Sequence, residues 1–108
     1  MELSVSEERY AEEEGAGFTR YLFKQGKREL RAQRYHDEAE RVAITEHRRW
    51  RASGWSEWSA FERIPYFDPL FCAVVRRLFA LEGVERVELL LPVHTQRYQP
   101  ILVTKLQF

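Results

Sequence analysis

The 108-residue chain reads as a single-domain α+β protein. The expected architecture is about four antiparallel strands in the order β-β-α-α-β-β, with helices packed on one face. Three observations predict it. An apolar stripe at helical spacing runs from Pro69 to Glu82. A second segment, Glu38 to Ser53, carries helix-capping and helix-dipole signals. Strand-like segments flank both, at 18–35 and 84–108. The composition fits one core, with 44% hydrophobic residues, 14% aromatics and 17 positive against 17 negative side chains. A disordered chain has fewer aromatics and a larger net charge.

The elements follow in order. Residues 1–16 are acidic, and 4–14 can form an N-terminal helix or arm with Val5 and Tyr10 as its apolar content. Phe18 to Lys24 favours a strand, Gln25-Gly26 a tight turn, and Lys27 to Tyr35 a returning strand. The returning strand has only Leu30, Ala32 and Tyr35 as apolar residues, so it reads as a charge-guarded edge. In Glu38 to Ser53, Asp37 and Glu40 have capping-box spacing. Acids at its start and Arg48, Arg49 and Arg51 at its end suit the helix dipole, and Gly54 stops it. The alternation of Val42 and Ile44 is the competing strand signal.

Ser56 opens a short helix carrying Trp58 and Phe61, ended by Pro65. Asp68 caps the main helix, Pro69 suits its first turn and Gly83 closes it. Leu70, Phe71, Val74, Val75, Leu78 and Leu81 form its buried stripe. Val84 to Leu91 and Ile101 to Phe108 are the last two strands. Pro92 and Pro100 bracket a connecting loop that exposes His94, Thr95, Gln96, Arg97 and Tyr98.

Several function classes are disfavoured. No stretch reaches about 18 apolar residues, so no segment is expected to span a membrane, and no membrane is expected as a partner. The acidic start lacks an apolar run, and Cys72 is the one cysteine. Both point to a cytoplasmic protein without an internal disulfide. The chain has no Asn and 14 Arg against 3 Lys. The first gives a thermophile-like composition, and the second also arises from a GC-rich genome.

His36, His47 and His94 form no close-spaced pair, so no metal or other cofactor is expected. Cys72 sits in the apolar helix without a base placed for it, which suits a structural thiol. The glycines at 15, 17, 26, 54 and 83 make no phosphate loop. No catalytic residue emerges, and an enzyme is the third of three readings.

Charge is polarised along the chain. Residues 1–17 hold six Glu and one Arg; residues 18–34 hold Arg20, Lys24, Lys27, Arg28, Arg31 and Arg34 against Glu29. Lys24, Lys27, Arg28, Arg31, Arg48, Arg49, Arg51 and Trp55 are therefore candidates for binding single-stranded nucleic acid or RNA. Cations would neutralise phosphates and aromatic faces would stack on bases. The competing reading has the tryptophans in the core and the acidic start neutralising the basic segment.

The tail ends in a strand with apolar residues on both faces. Ile101, Val103 and Phe108 are candidates for an interface with a second subunit. The first expectation is thus a non-enzymatic protein-binding or assembly module acting as a homodimer, and the alternative is nucleic-acid binding.

Asp68-Pro69-Leu70, the run Arg77 to Val87 with its Gly83-Val84 turn, and Ile101-Leu102-Val103-Thr104-Lys105 resemble part of the N-terminal module of Nfu-type iron–sulfur scaffold proteins. The resemblance implies a helix, a turn and a hairpin over about 40 residues, a unit that fold-level similarity allows without shared function. The family's cysteine pair is missing, and no functional residue carries over.

Overall fold

The computed structural model describes residues 3–10, 17–36, 41–50, 55–94 and 97–105, with backbone alone at 8–10, 47–50, 55–58 and 94. Seven strands are β1 (Ser4–Tyr10), β2 (Phe18–Gln25), β3 (Arg28–Tyr35), β4 (Arg41–Trp50), β5 (Trp55–Ser59), β6 (Arg86–His94) and β7 (Arg97–Val103); α1 (Pro69–Phe79) is the one helix among the described residues. Six strands lie side by side in the order β1-β2-β3-β4-β6-β7. All neighbours are antiparallel except β4 and β6, which are parallel. The fold is therefore a mostly-β mixed sheet with one short helix, and the α+β expectation of four antiparallel strands and two main helices is corrected.

The segment expected as a second helix is β4. Val42 and Ile44 are both fully buried, yet residues two apart on a helix point about 200° from each other. Only period-two alternation buries both, and β-branched side chains suit a strand. The capping pair Asp37 and Glu40 lies outside the described residues. The short helix expected from Ser56 is β5, which returns as a hairpin along β4. The N-terminal segment is not helical over 4–10; it is edge strand β1, paired with β2.

β4 reconciles the rest. Along one edge, its first half, Arg41–Ile44, pairs with β6. Its second half, Glu46–Trp50, pairs with β5 on that edge. Its other edge pairs with β3. This places β3 in the interior of the sheet, not at an edge. Its Leu30 and Ala32 are completely buried.

Pro92 and Pro100 lie within strands, which the loop expectation did not allow. The Leu90 carbonyl accepts from Phe61 N–H at 3.0 Å, on the side away from β7. Leu90 pairs with Pro100 and Pro92 with Tyr98, so both pairs sit where the antiparallel ladder makes no bond. Neither proline removes a β6–β7 hydrogen bond, and the Pro100 nitrogen faces the outer edge.

The core forms between α1 and one sheet face. Leu30, Ala32, Val42, Ile44, Val87, Leu89 and Val103 meet Phe71, Val74, Val75 and Leu78, all at 0% exposure. Burying each large aliphatic side chain contributes roughly 1.5–3 kcal/mol. Phe61 packs edge-on against Phe71, with ring centroids 5.8 Å apart.

Candidate cationic face of the sheet

Alternation sorts the basic hairpin into two sets. Residues directly opposite each other in a sheet share a face. Tyr21, Phe23, Leu30 and Ala32 face α1, so Arg28 and Arg34 share that side. The two arginines clasp the helix at its ends. Arg28 Nη1 donates to the N-cap Asp68 at 2.8 Å, and its Nε and Nη2 donate to Glu46 at 2.9 and 2.7 Å. Arg34 Nη2 donates to the Glu82 carbonyl at 2.6 Å. Six residues of strand span about 20 Å, enough to reach from one end of α1 to the other. Hydrogen bonds donated to Asp68, then to Glu46, hold the Arg28 guanidinium above its ordinary range despite partial burial.

The other set is Phe18, Arg20, Leu22 and Lys24 on β2 and Glu29, Arg31, Gln33 and Tyr35 on β3. β4 adds Arg41, Ala43 and Thr45, and β6 adds Arg86 and Glu88. Among the described residues no helix covers this face. Its charges with described side chains are Arg20, Lys24, Arg31, Arg41 and Arg86 against Glu29 and Glu88, and the register also sets Glu8 of β1 directly opposite Arg20 on this face. Two ion pairs form here, Lys24 with Glu29 at 3.1 Å and Arg86 with Glu88 at 3.3 Å.

Aromatic rings stand among these cations. Phe18 and Tyr35 are directly paired, with centroids 6.2 Å apart. The Arg41 guanidinium lies 4.8 Å from the Tyr35 ring and that of Arg20 5.7 Å from the Phe18 ring. Arg20 and Arg31 are diagonal neighbours on adjacent strands, about 7 Å apart in backbone. Burial, then repulsion from Arg20, lowers the pKa of Arg31 below its ordinary value.

The residues expected to bind nucleic acid separate accordingly. Arg31 and Lys24 lie on the open face. Lys27 is exposed in the β2–β3 turn. Arg28 is committed to Asp68 and Glu46, so the hairpin's basic residues do not act as one surface. Arg48 and Arg49 sit in β4 opposite Glu57 and Ser56, and Trp55 opposite Trp50, with side chains outside the described set. Arg51 lies outside the described residues.

Of the interface candidates, Val103 is buried in the chain's own core. Ile101 packs half-buried against that core, and Phe108 lies outside the described residues. Phe18, Tyr35 and Arg41 were missed by the sequence reading, which named Arg20 only as part of the basic hairpin. The signal was the two-residue turn, across which even-numbered residues of β2 share a face with odd-numbered residues of β3.

The remaining candidates are structural where described. Cys72 Sγ donates to the Tyr66 carbonyl at 3.1 Å. His36 Nε2 lies 2.8 Å from the Thr19 hydroxyl, closing the open end of the β2–β3 hairpin. No group of three or more metal-ligating side chains occurs among the described residues. No helix there is long and apolar enough to cross a membrane. Comparison with protein-family models, curated proteins and solved structures finds no match, so the function is argued from the geometry of this face.

Proposed function

We propose that the chain is a non-enzymatic binding module that holds single-stranded nucleic acid against the open face of its sheet. The observation that carries this reading is the Arg20–Arg31 pair beside the Phe18–Tyr35 rings, on a face with an excess of cations. Arg20, Arg31 and Arg41 neutralise phosphates, and Phe18 and Tyr35 offer surfaces on which unpaired bases stack. A duplex hides its base faces, so single strands are the favoured ligand.

Fluorescence anisotropy with labelled single-stranded RNA and DNA tests it. Binding is expected at low salt, with log K falling against log salt at a slope of about −2 if three phosphates are neutralised. Arg31→Glu is expected to weaken binding at least tenfold. Arg77→Glu, on the exposed side of α1, is expected to leave it unchanged. No binding at low salt, or equal losses from the two variants, would remove the proposal.

A second reading is a homodimer joined along β7, supported by exposed Leu102 and Tyr98. Pro100 on the outer edge counts against direct strand pairing. Light scattering that gives a monomer at high protein concentration rejects the dimer.

A further inference from the structure

Four large apolar side chains are strongly exposed: Phe67 at 99%, Val93 at 60%, Ile64 at 44% and, on the cationic side of the sheet at its β6–β7 end, Tyr98 at 58%. The topology gathers them at one end of the molecule. β4 and β6 run parallel, so both finish at the same end, where β6 carries Val93 and β7 begins near Tyr98. Arg28, at the start of β3, is tied to Glu46 near the end of β4 and to Asp68 at the start of α1. Residues 62–67 therefore reach this end too, leaving β6 beside Leu90 and arriving at Asp68.

Within this loop Tyr66 turns inward, its ring 6.4 Å from Phe71. Phe67 is left fully in water. An exposed phenyl contributes nothing to the core, and a group of large apolar side chains at one end marks a docking surface.

Charge selects the occupant. Lys27 in the β2–β3 turn, Arg63 beside Ile64 and Arg97 beside Tyr98 are all exposed at this end. None of the three forms an ion pair among the described residues. Of the carboxylates here, Glu46 and Asp68 are engaged by Arg28, and Glu62, exposed beside Arg63, is not without a partner. The apolar groups protrude from a turn, a loop and a hairpin tip. Protruding apolar groups flanked by cations fit an anionic bilayer surface: the rings enter the headgroup layer and the cations meet lipid phosphates.

We propose that this end docks reversibly on anionic lipid membranes, with Phe67 and Ile64 inserting and Lys27, Arg63 and Arg97 facing the headgroups. The inserting residues Phe67 and Ile64 lie outside the strands of the sheet, and the proposal stands whether or not the cationic face binds nucleic acid.

Co-sedimentation of the full chain tests it, using phosphatidylcholine vesicles and vesicles with about 30 mol% phosphatidylglycerol, an anionic surface of the kind that attracts basic segments. Binding is expected to the anionic vesicles and not to the zwitterionic ones. Phe67→Ser is expected to weaken it at least tenfold, and Arg63→Ala about fivefold, the value of one cation near such a surface. Because Phe67 is fully exposed, the variant is expected to melt with the parent, which circular dichroism checks.

No sedimentation with anionic vesicles overturns the proposal. So does full binding by a folded Phe67→Ser variant. Binding lost through Arg31→Glu but retained in Phe67→Ser also overturns it, since the lipid would then sit on the sheet face.

Discussion

Asp68 joins α1 to the sheet through two separable interactions, and substitution can take them apart. Its Oδ1 accepts from Leu70 N–H at 3.0 Å, capping the helix. Both carboxylate oxygens also meet Arg28, at 2.8 and 2.6 Å. Asp68→Asn keeps an acceptor for the cap and removes the charge. Asp68→Ala removes both. The pair is partly solvated, with Arg28 41% and Asp68 20% exposed, so its contribution after screening is about 0.5–1 kcal/mol. The cap contributes about 1 kcal/mol.

At about 4 °C per kcal/mol for a domain of this size, Asp68→Asn is expected to lower Tm by about 2–4 °C. Asp68→Ala is expected to lower it by about 6–8 °C on the same scale.

The pH dependence has a definite sign. The hydrogen bond from Arg28 holds the Asp68 carboxyl below its ordinary 3.8, against the opposing effect of burial. A depressed carboxyl stabilises the fold above its unfolded pKa, and that contribution is lost as pH falls through the folded value. The gap between the parent and Asp68→Asn is therefore expected to stay constant from neutral pH to about 5 and to close below about 4. It should also narrow in about 1 M salt, while the further loss in Asp68→Ala persists. Unfolding followed by circular dichroism at several pH values measures both. Equal losses in the two variants, or a gap unchanged at about pH 2, would refute the division into cap and charge.

Gly83→Ala is expected to cost about 1–2 kcal/mol in urea unfolding. Gly83 has φ +84°, and a Cβ there would stand 2.9 Å from Arg34 Nη2; a neutral substitution would show that neither matters. Pro100→Ala is expected to cost no more than about 1 kcal/mol and to raise self-association in light scattering by unblocking the β7 edge. Its new amide should exchange with solvent rapidly in the monomer; strong protection would place it in the ladder.

Much of the hairpin was legible in the sequence. The turn was expected at Gln25-Gly26 but lies at Gly26-Lys27, where Gly26 has φ +63°. That offset moves each partner by two residues, so Phe18 faces Tyr35 and not Gln33. A shift of two preserves the faces. The two sets of basic residues were therefore already distinct in the pattern, but nothing local said which set met a helix. β4 was misread because charge order and spacing suited a helix while Val42 and Ile44 required a strand. Burial between β3 and β6 decided in favour of the strand.

By itself the sequence determined α1 from the Asp68 cap through Leu78, although the helix ends at Phe79 and not at the expected Glu82, and the hairpin at 18–35. It also determined the polarised charge. These are local matters, governed by backbone preference and by side chains a few residues apart. The tertiary structure decided that β3 is interior, that Pro92 and Pro100 lie within strands, and that Arg28 and Arg34 hold the helix while Arg20 and Arg31 share the open face. Each depends on which distant segment lies alongside, and hydrogen-bond register and burial across the sheet set that choice.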